Sequence, residues 1–171
     1  MPKTHLTYAT VLRAMRRQHF AVLATSDPPA GRPASAGITY GVSGSGSAIY
    51  VMTRRHLQKA RNIVANPRVS LVIPTPRRLL WWVPPGTIQL TGRAEVIDWT
   101  DHDATRVFSQ FFWLGRHIVN SYRSLHARGD SRIAFLRIEL DPVIHTYMIG
   151  TSAWRVRNNM GAGASTVIRG Q

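Results

Sequence analysis

Short stretches of alternating and β-branched residues, divided by brief turns rich in Pro, Gly, Ser and Asp, fill most of this chain, and one long helical pattern interrupts them late. That layout constrains the fold more than any motif does. Strands are read at residues 19–25, 33–42, 48–53, 68–73, 87–98, 132–140 and 143–149, with a further short one at 166–168. Helices are read at 7–18, where Tyr8, Val11, Leu12 and Met15 share a face, at 57–65, and after the capping box Thr100-Asp-His-Asp103, where Val107, Phe108, Phe111, Phe112, Ile118, Val119 and Tyr122 form a broad apolar stripe. Two proline-bearing loops bracket residues 79–83, and Gly92 marks a bulge or bend in the longest strand. Strands joined by short turns, without regularly alternating helices, predict a mainly β (α+β) domain: a closed or nearly closed antiparallel barrel of six to seven strands with flanking helices, spanning residues 1–171.

Composition narrows the chemistry. The chain has 171 residues and no cysteine, which removes disulfides, thiolate nucleophiles and cysteine metal sites and makes a cytoplasmic location the expectation. No apolar run approaches the roughly 18 residues that a membrane span needs. With 22 Lys and Arg against 8 Asp and Glu the formal charge is +14, but the basic residues are scattered, so an anionic small ligand is expected rather than nucleic acid or a membrane surface. The seven histidines show no i, i+4 pair suited to a metal, and no dinucleotide, P-loop or Gly-x-Ser-x-Gly signature occurs, so no metal site is expected and the catalytic residues stay unassigned.

One run does carry chemistry. From Tyr50 to Pro74 the chain reads as strand, basic elbow, short helix, turn and strand. A strand that ends in the hydroxyl of Thr53, passes Arg54, Arg55 and His56 and then opens a helix bearing Lys59 brings donors and positive charge towards one volume, as a phosphate requires. The chain has only two lysines, Lys3 and Lys59, which singles out the ammonium at 59. The same residues also suit a solvated basic turn, and the run alone does not choose between the two.

Taken in order, Ala24-Thr-Ser-Asp-Pro-Pro-Ala-Gly31-Arg32-Pro33, the elbow from Val51 to Asn62, Asn66-Pro67-Arg68-Val-Ser-Leu71, Gly92-Arg-Ala-Glu95 and the strands over 133–150 resemble the pyridoxamine 5′-phosphate oxidase-like flavin proteins. The resemblance implies a Greek-key split β-barrel and a homodimer holding FMN at its interface. By matched position it implies that Thr53 and Lys59 bind phosphate, that Arg54 and Arg55 add donors, and that Ala36, Gly37, Ile38 and Thr39 run along the flavin ring. It places Thr87 where a partner subunit reaches the flavin and Trp154 at a C-terminal contact. Leu57-Gln58 replaces the family's usual Ser-Arg, and Trp154-Arg155-Val-Arg157 lacks the oxidase's C-terminal substrate-binding set, so a true pyridoxamine phosphate oxidase is not expected. The implied function is an FMN-dependent oxidoreductase acting on a small-molecule substrate. The alternatives are a reductase using an 8-hydroxy-5-deazaflavin coenzyme, as related actinobacterial proteins do, and a flavin or haem carrier without turnover. The Trp81-Trp82 pair is read as core and interface.

Overall fold

The computed structural model describes residues 6–76, 85–110, 112–129, 132–150, 156 and 160–170. Along them run α1 (Tyr8–Arg17), β1 (Phe20–Asp27), β2 (Arg32–Val42), β3 (Ala48–Arg54), α2 (Gln58–Ala65), β4 (Arg68–Thr75), β5 (Gly86–Asp98), α3 (His102–Ser109), α4 (Phe112–Ala127), β6 (Ile133–Leu140), β7 (Val143–Tyr147), a 3-10 turn (Met160–Gly163) and β8 (Ala164–Ile168). The sheet order is β4-β1-β2-β3-β6-β5-β7-β8, and β4 also pairs with β5. That extra pairing closes β1, β2, β3, β6, β5 and β4 into an antiparallel six-stranded barrel, and β7 and β8 extend it from β5. The expected barrel is there, with two strands outside it. Residues 79–83, Trp81, Trp82, Phe111 and Trp154 lie outside the described residues.

Strand alternation explains the closure. On β1 and β4 the buried residues Ala21, Leu23, Val69, Leu71 and Ile73 alternate with exposed ones, so one face of each strand fills the barrel. β3 differs: Ile49 and Val51 point into the barrel core, whereas Ala48 and Tyr50 join a second cluster with Ala104, Val107, Phe108, Val119 and Phe135. Helices α3 and α4 therefore cover the outer face of β3 and β6. Among the described residues α1, α2 and α3 touch β2 and α2 touches β1, whereas β4, β7 and β8 are not packed extensively against a helix.

The ends of the barrel are closed by the smaller helices. Thr7 caps α1, and Val11 and Met15 sink into the core while the Tyr40 hydroxyl donates to the Met15 carbonyl at 2.7 Å. At the other end α2 buries Ala60, Asn62 and Ile63, and Asn62 Nδ2 donates to Thr25 Oγ1 at 3.0 Å, satisfying two buried polar groups with each other.

Three local expectations need correction. The late helix is two helices, α3 ending at Ser109 and α4 starting at Phe112. Its cap is Asp101, not Thr100: the Asp101 carboxylate accepts from the Ala104 N–H at 2.8 Å, while Thr100 donates to Asp98. Of the bulge or bend expected at Gly92, the register shows no bulge: the β4–β5 ladder passes through Val69↔Gly92 without an extra residue, and the β5–β6 ladder begins at Gly92↔Leu140. The glycine is required instead by the Glu139 carbonyl, which occupies the space that a Cβ would take.

Candidate cofactor site

The barrel is closed unevenly. β1 and β2 pair over eight residues and β3 and β6 over seven, but β2 and β3 pair only at Tyr40↔Val51, Gly41↔Tyr50 and Val42↔Ile49. Beyond that point the two strands part. A slit results, with residues 36–39 of β2 on one side and 52–54 of β3 on the other. Extending the register by two pairs sets Ile38 level with Thr53, and a third sets Gly37 level with Arg54. Since β1 occupies one edge of residues 36–39, the backbone groups on the opposite edge face the slit without a strand to receive them.

Of the predicted residues, Ala36, Gly37, Ile38 and Thr39 lie on β2 and Thr53 and Arg54 on β3 beyond their last shared pair, and Lys59 follows on α2. Thr53 is 3% exposed, and its Oγ1 has no hydrogen-bond partner in the protein. A buried hydroxyl left this way costs about 1–3 kcal/mol, so a native fold that keeps one has a use for it. The chain then turns, the Leu57 N–H donating to the Arg54 carbonyl at 3.1 Å, and α2 begins. Leu57 is the N-cap and supplies no side-chain acceptor, and the first turn of α2 holds no acid. Its positive end, which begins five residues after Thr53, thus has neither a side-chain cap nor a first-turn acid, and Lys59 is half-buried in that turn. Neither Lys59 nor Arg54 forms an ion pair with a described carboxylate.

Arg55 is engaged elsewhere. Its backbone N–H donates to the Arg132 carbonyl at 2.7 Å, and Nη2 reaches Asp98 Oδ2 at 3.2 Å. The Thr100 N–H and hydroxyl, and then the Arg55 charge, hold the Asp98 carboxyl below its ordinary range, so it stays ionised. Arg55 leaves the strand towards Asp98, a partner that the sequence pattern did not suggest. His56 is exposed in the elbow.

Thr87 pairs with Pro74 on β4 and with Tyr147 on β7, so β4 and β1 stand between it and the β2 edge of the slit within one chain. Among the described residues no group of three or more His, Asp and Glu could hold a metal ion, and no helix is long and apolar enough to cross a membrane.

A barrel split beside a phosphate-type elbow is the arrangement that the comparisons bear on. The family model described as pyridoxamine 5′-phosphate oxidase matches residues 9–145. The chain belongs to the pyridoxamine 5′-phosphate oxidase family. No curated protein matches it by sequence. Among solved structures it resembles HutZ, the haem storage protein from Vibrio cholerae, with a TM-score of 0.59 at 15% identity over 80% of this chain and 92% of that one. It also resembles an FAD-binding protein from Mesorhizobium loti (TM-score 0.53, 18% identity, 81% and 92% of the two chains). A haem binding protein from Mycobacterium smegmatis gives a TM-score of 0.65 at 14% identity, covering 95% of this chain and 59% of that one. At these identities the likeness establishes the fold. Membership of the pyridoxamine 5′-phosphate oxidase family and the likeness to these structures agree on the barrel, and of the three structures one is described as FAD-binding and two as haem-storing or haem-binding.

Proposed function

We propose that this protein is a flavin-dependent oxidoreductase that binds FMN at the β2–β3 slit. The observation that carries the reading is the buried Thr53 hydroxyl with no partner, followed by the uncapped start of α2 and Lys59. A phosphate dianion would accept from that hydroxyl, from the first-turn N–H groups and from the ammonium, with Arg54 alongside. Ala36, Gly37, Ile38 and Thr39 would offer slit-facing backbone donors and acceptors to the ring edge. When bound, the flavin supplies the hydride chemistry, and the protein binds, orients and shields it. No triad or metal is needed.

The sign of two effects tests this. Thr53→Val removes a polar atom that nothing in the protein satisfies, so the cofactor-free protein is expected to keep or gain up to about 1 kcal/mol of stability. The same change is expected to weaken FMN binding about tenfold, the size of one hydrogen bond to a charged group. Thermal unfolding of the stripped protein and FMN titration measure the two. A variant that loses stability yet binds FMN normally removes the phosphate assignment.

The homodimer reading rests on charge. A chain of +14 can meet its copy only where like charges do not face each other. The outer face on which Gly37, Val22, Val72, Gln89, His145 and Thr166 line up across six strands is such a place. Neither that row nor the row on each side of it contains Arg, Lys, Asp or Glu. Val22 and Val72 are 36% and 38% exposed at its centre. Because the row begins at Gly37, the face borders the slit, and a second copy seated there could bring its own Thr87 towards the flavin. Val72→Arg is expected to raise the dimer dissociation constant at least tenfold by sedimentation, with the fold kept by circular dichroism. A wild-type chain that is monomeric at micromolar concentration ends the dimer reading.

The deazaflavin and haem alternatives keep the fold and change the ligand. An absorption spectrum of the protein as purified separates them: flavin bands, a band shifted to shorter wavelength, or a Soret band.

A further inference from the structure

Phe20 opens β1 opposite Thr39, yet its ring leans diagonally over Gly37: a Cβ at 37 would lie 2.9 Å from Phe20 Cε2 and 3.4 Å from Cζ. The ring rests on the bare backbone of β2, and the residue is still 52% exposed. An aromatic side chain held against a glycine and half open to water is poorly used by the barrel, whose core it does not enter. Its position is specific, because Gly37 is the β2 residue level with Arg54 across the slit. A flat ligand lying along residues 36–39 would come down beside it. Gly37 serves the same end, since any side chain there would displace the Phe20 ring.

We propose that Phe20 is a positioning residue that forms the aromatic wall of the ring site, a role that rests on the flavin reading above. The aromatic ring, and not simply apolar cover, is what the site requires, because an offset or edge-on contact with a flavin ring fixes the ring plane in a way that an aliphatic side chain cannot. The flavin would lie between Phe20 and the open edge of β2, with its phosphate end towards Thr53 and Lys59.

The test is titration of FMN into the stripped protein, followed by flavin fluorescence, for wild type, Phe20→Leu, Phe20→Tyr and Phe20→Trp. Wild type is expected to quench bound FMN. Phe20→Leu, which keeps apolar bulk, should weaken binding about fivefold, as loss of an aromatic pair does, and leave bound FMN at least twice as bright. Tyrosine and tryptophan should retain both affinity and quenching. Phe20→Leu binding and quenching like wild type overturns the proposal, as does an affinity loss that vanishes once protein concentration restores the dimer, which would make Phe20 an interface residue only. Failure of wild type to bind FMN at all would instead strike the flavin reading and remove this role with it.

Discussion

Replacing Gly92 with alanine is expected to destabilise the protein by about 3 kcal/mol, at the upper end of what overpacking usually costs. β5 is the strand on which the architecture turns: residues 86–93 pair with β4, Thr87–Gln89 also pair with β7, residues 92–98 pair with β6, and Gly92 lies at the change-over. A Cβ there would collide with the Glu139 carbonyl oxygen and stand 3.1 Å from the Glu139 carbonyl carbon and 3.3 Å from Leu140 Cα. All three atoms are backbone, so no rotamer relieves the contact and β6 itself must shift. The next link would strain with it, since Thr91 accepts from the Asp141 N–H at 2.9 Å and donates to Asp141 Oδ2 at 2.6 Å. For a chain of this length the loss corresponds to about 10 °C in melting temperature. Gly44→Ala is the control: nothing lies within 4 Å of a Cβ there, and it should change stability by no more than about 0.5 kcal/mol. A Gly92→Ala protein that melts within a degree or two of wild type would show that β6 has room the structure denies it.

Gly92 also shows where sequence reading stops. A glycine within a strand pattern announces a special backbone position, but a bulge and a close approach leave the same mark, and only the neighbouring strand tells them apart. The barrel was legible because it rests on local signals: alternation at Ala21, Leu23, Val69 and Leu71, and short turns between most strands, with too few helices to alternate regularly with them. The elbow was legible for the same reason, Thr53 to Lys59 being contiguous. What was not legible depends on pairs distant in sequence. Nothing in residues 36–39 and 52–54 says that β2 and β3 part after three pairs, so the slit was visible only through family resemblance. Asp98 as the partner of Arg55 is 43 residues away and on another strand. Phe20 looked like an ordinary strand residue, and the glycine that gives it meaning is on β2. The break between α3 and α4 was missed because Val107, Phe108 and Val119 all reach one cluster, so the apolar stripe continues although the helix does not.

Lys59→Ala is expected to weaken FMN binding by about 2–3 kcal/mol, roughly 30- to 160-fold, while leaving the cofactor-free protein as stable as wild type within about 0.5 kcal/mol. The two halves follow from one fact: Lys59 has no ion pair with a described carboxylate, so its removal breaks no such bond, yet it is half-buried in the first turn of the helix that follows the strand bearing the unpartnered Thr53 hydroxyl. Desolvation by the slit strengthens an ammonium–phosphate contact there relative to one on an open surface. Riboflavin, which has the ring but no phosphate, gives the internal control, and its affinity should not change between wild type and variant. The phosphate loses its second charge near pH 6, so the difference between FMN and riboflavin should shrink as pH falls through that value in wild type and be small throughout in Lys59→Ala. Equal weakening of FMN and riboflavin would mean that the lysine supports the fold of the site rather than holding the phosphate. Unchanged FMN affinity would leave the elbow as a solvated basic turn, and the buried hydroxyl at 53 would need another partner.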